Sequence, residues 1–281
     1  MNEVRSDLLG QNINIRDICV VISSSDNTRD VFMQTSPSFE RFWPDCSYPI
    51  YVGMNTPVSD KVSERFTFVY ADVSNWRVEL RQQLAQIQER YLILFLDDFV
   101  LLEEVDTKAL SSIIQYGMKH KIPYLRLVPV SRAWIPRKIY QIFHAISHCQ
   151  VERIPLTQPY YSSLQVALWR KDHLMSCLTY EGSIWDFEHQ RIPGINHYAV
   201  VKPLIRYVHV VEKGKWQPYA RTIINRVSGR FHPGKRQELG LASYLRWYWA
   251  KFRFAMIGYI GVRSRIIIRQ IVSHLLPPLK K

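Results

Sequence analysis

Four short, largely apolar runs early in the chain limit its fold more than any other feature. They are Ile18–Ser23, Tyr48–Gly53, Phe66–Tyr70 and Tyr91–Leu96. Runs with so little polar alternation belong to strands covered on both faces, as in parallel sheets. Stretches of helical period separate them. Trp76, Leu80, Leu84 and Ile87 share one face of a helix expected over Trp76–Arg90, with Arg77, Arg81, Gln82 and Glu89 elsewhere. Val105–Lys119 reads as another helix, and Asn27–Phe42 as one limited or broken by Pro37. Tyr124–Val128 adds a fifth strand. Strands alternating with helices specify an open α/β sheet, in which ligands sit beyond the carboxyl ends of the strands.

The segment 131–200 is less regular and rich in Tyr, Pro, His and Trp. A strand is expected over Gln165–Arg170, a short helix over Lys171–Leu178 and a further strand over 199–211. The chain has 281 residues, 47% apolar and 13% aromatic, enough to build one large core with an appendage. Cys19, Cys46, Cys149 and Cys177 form no CxxC pair, which argues against a zinc knuckle or a disulfide framework. Cys19 lies in an apolar run and reads as a core residue. A reducing compartment is expected. The N-terminal stretch is polar without a signal-like apolar core. No apolar stretch is long enough to span a bilayer as a helix.

Net charge is +13, and its distribution is uneven. Residues 241–281 hold eight Lys or Arg and no Asp or Glu. Tyr244, Leu245, Trp247, Tyr248, Trp249, Phe252 and Phe254 lie among these cations. Cations and aromatics without acids fit a helix lying in an anionic lipid interface. The bland alternative is a terminal helix packed on the domain. No nucleic-acid motif is present, and no nucleic-acid partner is expected.

The chemistry-bearing residues gather at the expected carboxyl edge of the sheet. Ser23–Asp26, Asp72 and the adjacent pair Asp97 and Asp98 all follow strands. Two neighbouring carboxylates repel, and a divalent cation shared with phosphates relieves the repulsion. Both acids are therefore expected on the rim of a nucleotide-sized cleft, unless one caps the helix from Val105 and the other is solvated. Trp185-Asp-Phe-Glu interleaves two aromatics with Asp186 and Glu188, a pattern suited to a polyol. If extended, the segment puts both acids on one side; if helical, they sit near an N-terminus. His209, Lys213 and Lys215 could neutralise a diphosphate, or simply form a solvated basic turn. His144 and His148, four apart, lack the acid and third ligand of a metal motif and read as ordinary histidines.

In this order the motifs resemble the bacterial GT-A-fold glycosyltransferases of surface-polysaccharide (O-antigen or capsule) biosynthesis. The residues that carry the likeness are Ile18–Ser24, the helix from Trp76 into Leu94–Leu102, Trp185–Glu188, and Gly214–Trp216 after His209. The likeness spans roughly residues 15–220. It implies a Rossmann-like mixed open sheet flanked by helices, with a basic amphipathic helical extension. Residues 1–232 would form the catalytic domain, its donor side about 15–130 and its acceptor side about 131–220. Residues 233–281 would form the membrane-associated tail.

The resemblance further implies a nucleotide-sugar donor, with Ser23, Ser25 and Asp72 near the nucleoside. Asp97 and Asp98 stand at the family's DxD position. Leu96 occupies the first place of a strict reading, so Asp98 alone matches the metal-contacting acid, for Mn²⁺ or Mg²⁺. Glu188 matches the acceptor-side base, ahead of Asp186. His209, Lys213 and Lys215 would meet the leaving diphosphate. The implied acceptor is a lipid-linked glycan, on the cytoplasmic face of the membrane. A nucleotidyltransferase on a similar sheet, or a non-enzymatic membrane or nucleic-acid binding module, are the alternatives. The first lacks its usual glycine-rich loop in Ser23–Arg29.

Overall fold

The structure, a computed structural model, describes residues 17–59, 62–130, 151–158, 160–180, 182–192, 194–240 and 242–249. Strands β1 (Ile18–Ser23), β2 (Ile50–Met54), β3 (Phe66–Tyr70) and β4 (Tyr91–Leu96) form one side of a mixed sheet. Short β5 (Phe99–Leu101) follows outside it, then β6 (Tyr124–Arg126), β7 (Val151–Arg153), β8 (Ala167–Arg170) and β9 (Tyr198–Val200). The eight-stranded order is β3-β2-β1-β4-β8-β6-β9-β7. β1 to β4 pair in parallel, β8 runs antiparallel to both β4 and β6, and β6 is parallel to β9. The carboxyl ends of β1–β4 and β6 therefore share an edge with the start of β8.

The apolar runs become strands because both their faces are covered. In β1, Ile18, Val20 and Ile22 enter one core with Phe32, Phe39, Leu110 and Ile114. Cys19 and Val21 enter the opposite core with Leu80, Leu84, Leu174 and Phe187. Cys19 is a buried free thiol, and burial raises its pKa. This is the open α/β sheet expected from the sequence, flanked by helices.

Several boundaries move. Ser36 ends one helix, Arg29–Thr35, and Pro37 opens the next, Pro37–Phe42. Proline suits that place because a first-turn N–H has no partner within the helix. The helix from Trp76 stops at Ala85, short of Arg90. The stretch 199–211 is not one strand. It divides into β9, β10 (Tyr207–His209) and the start of β11 (Val211–Glu212). β10 pairs with β5, which the sequence reading missed, and β11 makes a hairpin with β12 (Lys215–Trp216).

A third core joins this hairpin to the domain: Val31, Val100, Val210, Trp216, Ile224 and Phe231 pack together. Trp216 Nε1 donates to the Pro233 carbonyl, and the Leu239 N–H donates to Trp216. Pro233 and Leu239 thus bond to the hairpin. Residues 242–249 form a helical stretch exposing Leu245, Tyr248 and Trp249. The tail beyond it, His144 and His148 lie outside the described residues.

Candidate active site

Three successive strand-end loops are stitched together on the β1–β3 side. Asp26 accepts from the N–H groups of Asn55 and Thr56 and from the Thr56 hydroxyl. These hydrogen bonds hold its carboxyl below the usual range against the opposing effect of burial. Asn55 in turn donates to the Ala71 carbonyl and to Glu79. Ser23 accepts from Trp76 Nε1, and the Ser25 hydroxyl lies 3.2 Å from that of Thr28. Asp72, after β3, is exposed on the same edge.

The two adjacent acids have different surroundings. Asp97 is turned toward β1, and its Oδ2 accepts from the Ser24 hydroxyl at 2.7 Å. Burial pushes its carboxyl up to about 7; the Asp98 charge adds to this, and the Thr28 and Ser24 hydroxyls oppose it. Its backbone is fixed too, by the Thr35 hydroxyl at 2.6 Å from the Asp97 carbonyl. Asp97 thus ties the β1 loop to β4 through Ser24, and both acids are half-buried at the end of β4.

Asp98 Oδ2 stands 3.4 Å from His209 Nδ1. The opposite nitrogen, Nε2, lies 3.2 Å from Gln165 Nε2. Gln165 accepts from the Tyr207 hydroxyl through its oxygen, so its amide N–H faces the imidazole. His209 Nδ1 thus faces the Asp98 carboxylate while Nε2 faces the Gln165 amide. Lys213 and Lys215 flank Gly214 in the exposed β11–β12 turn, where Lys213 has φ 50°.

Trp185, Asp186, Phe187 and Glu188 are helical, within Ile184–His189, and not extended. Asp186 forms a capping box with Ser183, accepting from its N–H and hydroxyl at 2.7 Å each. These bonds lower its pKa. The segment enters through Gly182, at φ 123°, where an added Cβ would lie 2.9 Å from Asp186. Phe187 is buried, whereas Trp185 is 53% exposed. Glu188 Oε1 accepts from the Leu164 N–H at 2.9 Å and the Ser163 hydroxyl at 3.2 Å.

Ser163–Gln165 therefore links the two sides: Leu164 holds Glu188, and Gln165 reaches His209 and so Asp98. Tyr124 supports this segment by donating to the Ser163 carbonyl, and buried Arg126 donates to Tyr124. Sequence reasoning missed Gln165, Tyr207 and Arg126 as site residues. Gln165 was legible only as the start of a strand, since its partner lies in β10.

Asp98, the acid expected to meet a cation, stands beside His209. Among the described residues no cluster of three or more His, Cys, Asp or Glu side chains could hold a metal ion. A cation held by Asp98 would take most of its oxygens from phosphates and water.

No family model and no curated protein matches the chain. Solved structures match in part. S. aureus TarS 1–349 in complex with UDP-GlcNAc aligns at TM-score 0.39 and 12% identity, over 61% of this chain and 52% of that one. The galactosyltransferase LgtC, in complex with donor and acceptor sugar analogues, aligns at 0.34 and 10%, over 58% and 60%. CMP:2-keto-3-deoxy-manno-octonic acid synthetase complexed with CTP aligns at 0.38 and 9%, over 65% and 88%. The chain spans about half the length of the TarS fragment. These are partial likenesses between chains of low identity, and they assign no activity.

Proposed function

We propose that this chain is a glycosyltransferase that moves a sugar from a nucleotide-sugar donor to a hydroxyl of an acceptor glycan, with inversion. The observation that carries the reading is the continuity of Asp98, His209, Gln165, Leu164 and Glu188 along one sheet edge. In this reading the acid that would face the phosphates and the candidate base lie on opposite sides of one short segment.

Glu188 removes the proton from the acceptor hydroxyl. Both of its hydrogen bonds fall on Oε1, leaving Oε2 for that proton. The acceptor oxygen attacks the anomeric carbon, the bond from that carbon to the diphosphate oxygen breaks, and the diphosphate leaves with the electron pair. Ser23, Ser25 and Asp72 stand at the carboxyl ends of β1 and β3, where an open α/β sheet holds its nucleotide. Asp98, beside His209, would hold Mn²⁺ or Mg²⁺. When bound, the ion offsets phosphate charge. Lys213 and Lys215, on either side of Gly214, would add positive charge for the diphosphate in this reading.

The acceptor in this reading is lipid-linked, in surface-polysaccharide assembly at the cytoplasmic face of the membrane. Support comes from the exposed Leu245, Tyr248 and Trp249 together with the acid-free basic segment 241–281. Sedimentation of the full chain with anionic but not zwitterionic vesicles checks this part.

The central test combines a panel of nucleotide sugars, with and without Mn²⁺, and Glu188→Gln. A donor raises the thermal midpoint of both forms by mass action. Transfer to a glycan acceptor is expected to fall ~100-fold or more in the variant. Undiminished transfer removes Glu188 from the chemistry. When a nucleoside triphosphate and a sugar phosphate are supplied instead, release of pyrophosphate would indicate nucleotidyl transfer.

A further inference from the structure

Arg77 is read from the sequence as part of a helix's polar face, yet it is only 3% exposed. Its guanidinium crosses to the segment that carries Glu188. Nε donates to the Gly182 carbonyl at 3.1 Å and Nη2 to the Ser183 carbonyl at 3.2 Å. Nη1 donates to the Cys177 carbonyl at 3.3 Å and to Gln190 Oε1 at 3.4 Å. Its Cζ lies 5.5 Å from the centre of the Phe187 ring. One side chain thus touches the Glu188 helix before its start, in its middle and just after its end.

We propose that Arg77 is a positioning residue: by pinning the helix Ile184–His189 at both ends, it sets where the Glu188 carboxylate stands. The proposal rests on the reading of Glu188 as proton acceptor. A six-residue helix cannot hold itself in place, because helices so short are unstable alone. Its location is set by anchors. On one side the Ser162 N–H donates to the Glu188 carbonyl and the Ser162 hydroxyl to the Gln190 carbonyl. Arg77 supplies the other side. A planar fork with several donors fixes direction as well as distance, which a lysine's single ammonium does not. Misplacing a catalytic group by ~1 Å can cost ~100-fold in rate.

The clamp also has an unused place. Gln190 Nε2 is buried with no partner while its oxygen serves Arg77. Gln190→Glu replaces that nitrogen with a second oxygen and offers Arg77 a two-pronged partner.

The test uses the full chain. The Leu164 amide proton reports directly on Glu188, its acceptor, in a proton–nitrogen NMR spectrum. Arg77→Lys is expected to move that resonance toward its position in Glu188→Ala, with β4 amides unmoved. Amide exchange across 182–190 should rise ~tenfold in Arg77→Lys and slow in Gln190→Glu. With an active donor, Arg77→Lys lowers kcat at least ~tenfold and leaves the donor KM unchanged.

An unmoved Leu164 resonance overturns the proposal. So does equal movement of β4 amides, which would mark general loosening. Should Arg77→Lys not fold, unchanged exchange in Gln190→Glu overturns it instead. Transfer that persists in Glu188→Gln defeats the reading of the base while the Leu164 measurement still judges the clamp. Transfer that is lost in Glu188→Gln but intact in a Leu164-shifted Arg77→Lys defeats the positioning role alone.

Discussion

The two sides of the candidate site are held by different means. On the β1–β4 side, six-residue β1 and β4 pair in parallel along their whole length, and successive loops bond to one another through Asp26, Asn55 and Glu79. On the other side, β6 and β9 are only three residues long. There, position depends on buried polar side chains that reach across the sequence: Arg77, Arg126, His173 and His197. A ladder adds strength with each residue. A buried polar network holds only while every member keeps its partner. The first side should therefore tolerate single changes that the second does not, and charge should act on them in opposite directions.

The largest test of this contrast lies in the adjacent acids. Asp98→Asn is expected to weaken donor binding ~10- to 100-fold, the loss of one charged contact, and to remove any gain from Mn²⁺. Asp97→Asn should keep donor affinity nearly unchanged, because its carboxylate already serves Ser24. Titration calorimetry with the donor found by the thermal panel measures both. Equal losses would mean that the two carboxylates share the ligand and that the division between them is false.

Acidification comes next in size. His173 and His197 meet through their Nε2 atoms at 2.9 Å; both are buried beside Trp169, and His197 stacks on Tyr161. Burial lowers their pKa from 6.5 to about 4 and about 3. Their contribution to stability is thus present above pH 6.5 and is lost as pH falls toward those folded values. Each proton taken up on unfolding adds a slope of ~1.4 kcal/mol per pH unit. Asp97 acts in the opposite sense. Its pKa is raised from 3.8 to about 7, so its contribution is present below pH 3.8 and lost as pH rises through 7. Urea unfolding between pH 7 and 5 should show the histidine slope flattened in His197→Gln and steepened in Asp97→Asn. Identical slopes in all three proteins would break the opposition.

The same contrast explains what the sequence could reveal. The β1–β4 side was legible because continuous apolar runs and a 3.6-residue period are local signals. Its acids and serines could be placed by noting where each strand stops. The acceptor side was legible only in outline. Glu188 could be singled out, but not its bonds to Ser163 and Leu164, because those depend on packing between distant segments. The burial of Arg77 was not legible because a periodic pattern gives no sign of a guanidinium held on carbonyl oxygens of a distant segment. β5 was missed because Phe99–Leu101 is too short for a period, and its pairing with β10 is visible only in space.

Asp186 gives the smallest effect and a sharp check on the acceptor side. Sequence alone pairs it with Glu188 as a candidate for catalysis, but both are now on a helix, and Asp186 caps its start, accepting from the Ser183 N–H and hydroxyl through Oδ2. Asn retains a side-chain oxygen that can accept from the same groups. Asp186→Asn should therefore leave transfer within a few-fold of the parent, with only a slight fall in thermal midpoint. Asp186→Ala removes the cap and should loosen the helix start. Its turnover loss should stay far below that of Glu188→Gln, because Arg77 still holds the Gly182 and Ser183 carbonyls. A loss in Asp186→Asn as large as in Glu188→Gln, without a change in amide exchange across 182–190, would move the chemistry from Glu188 to Asp186. The acceptor side would then owe its function to a side chain at the helix start and not to the network that Leu164 completes.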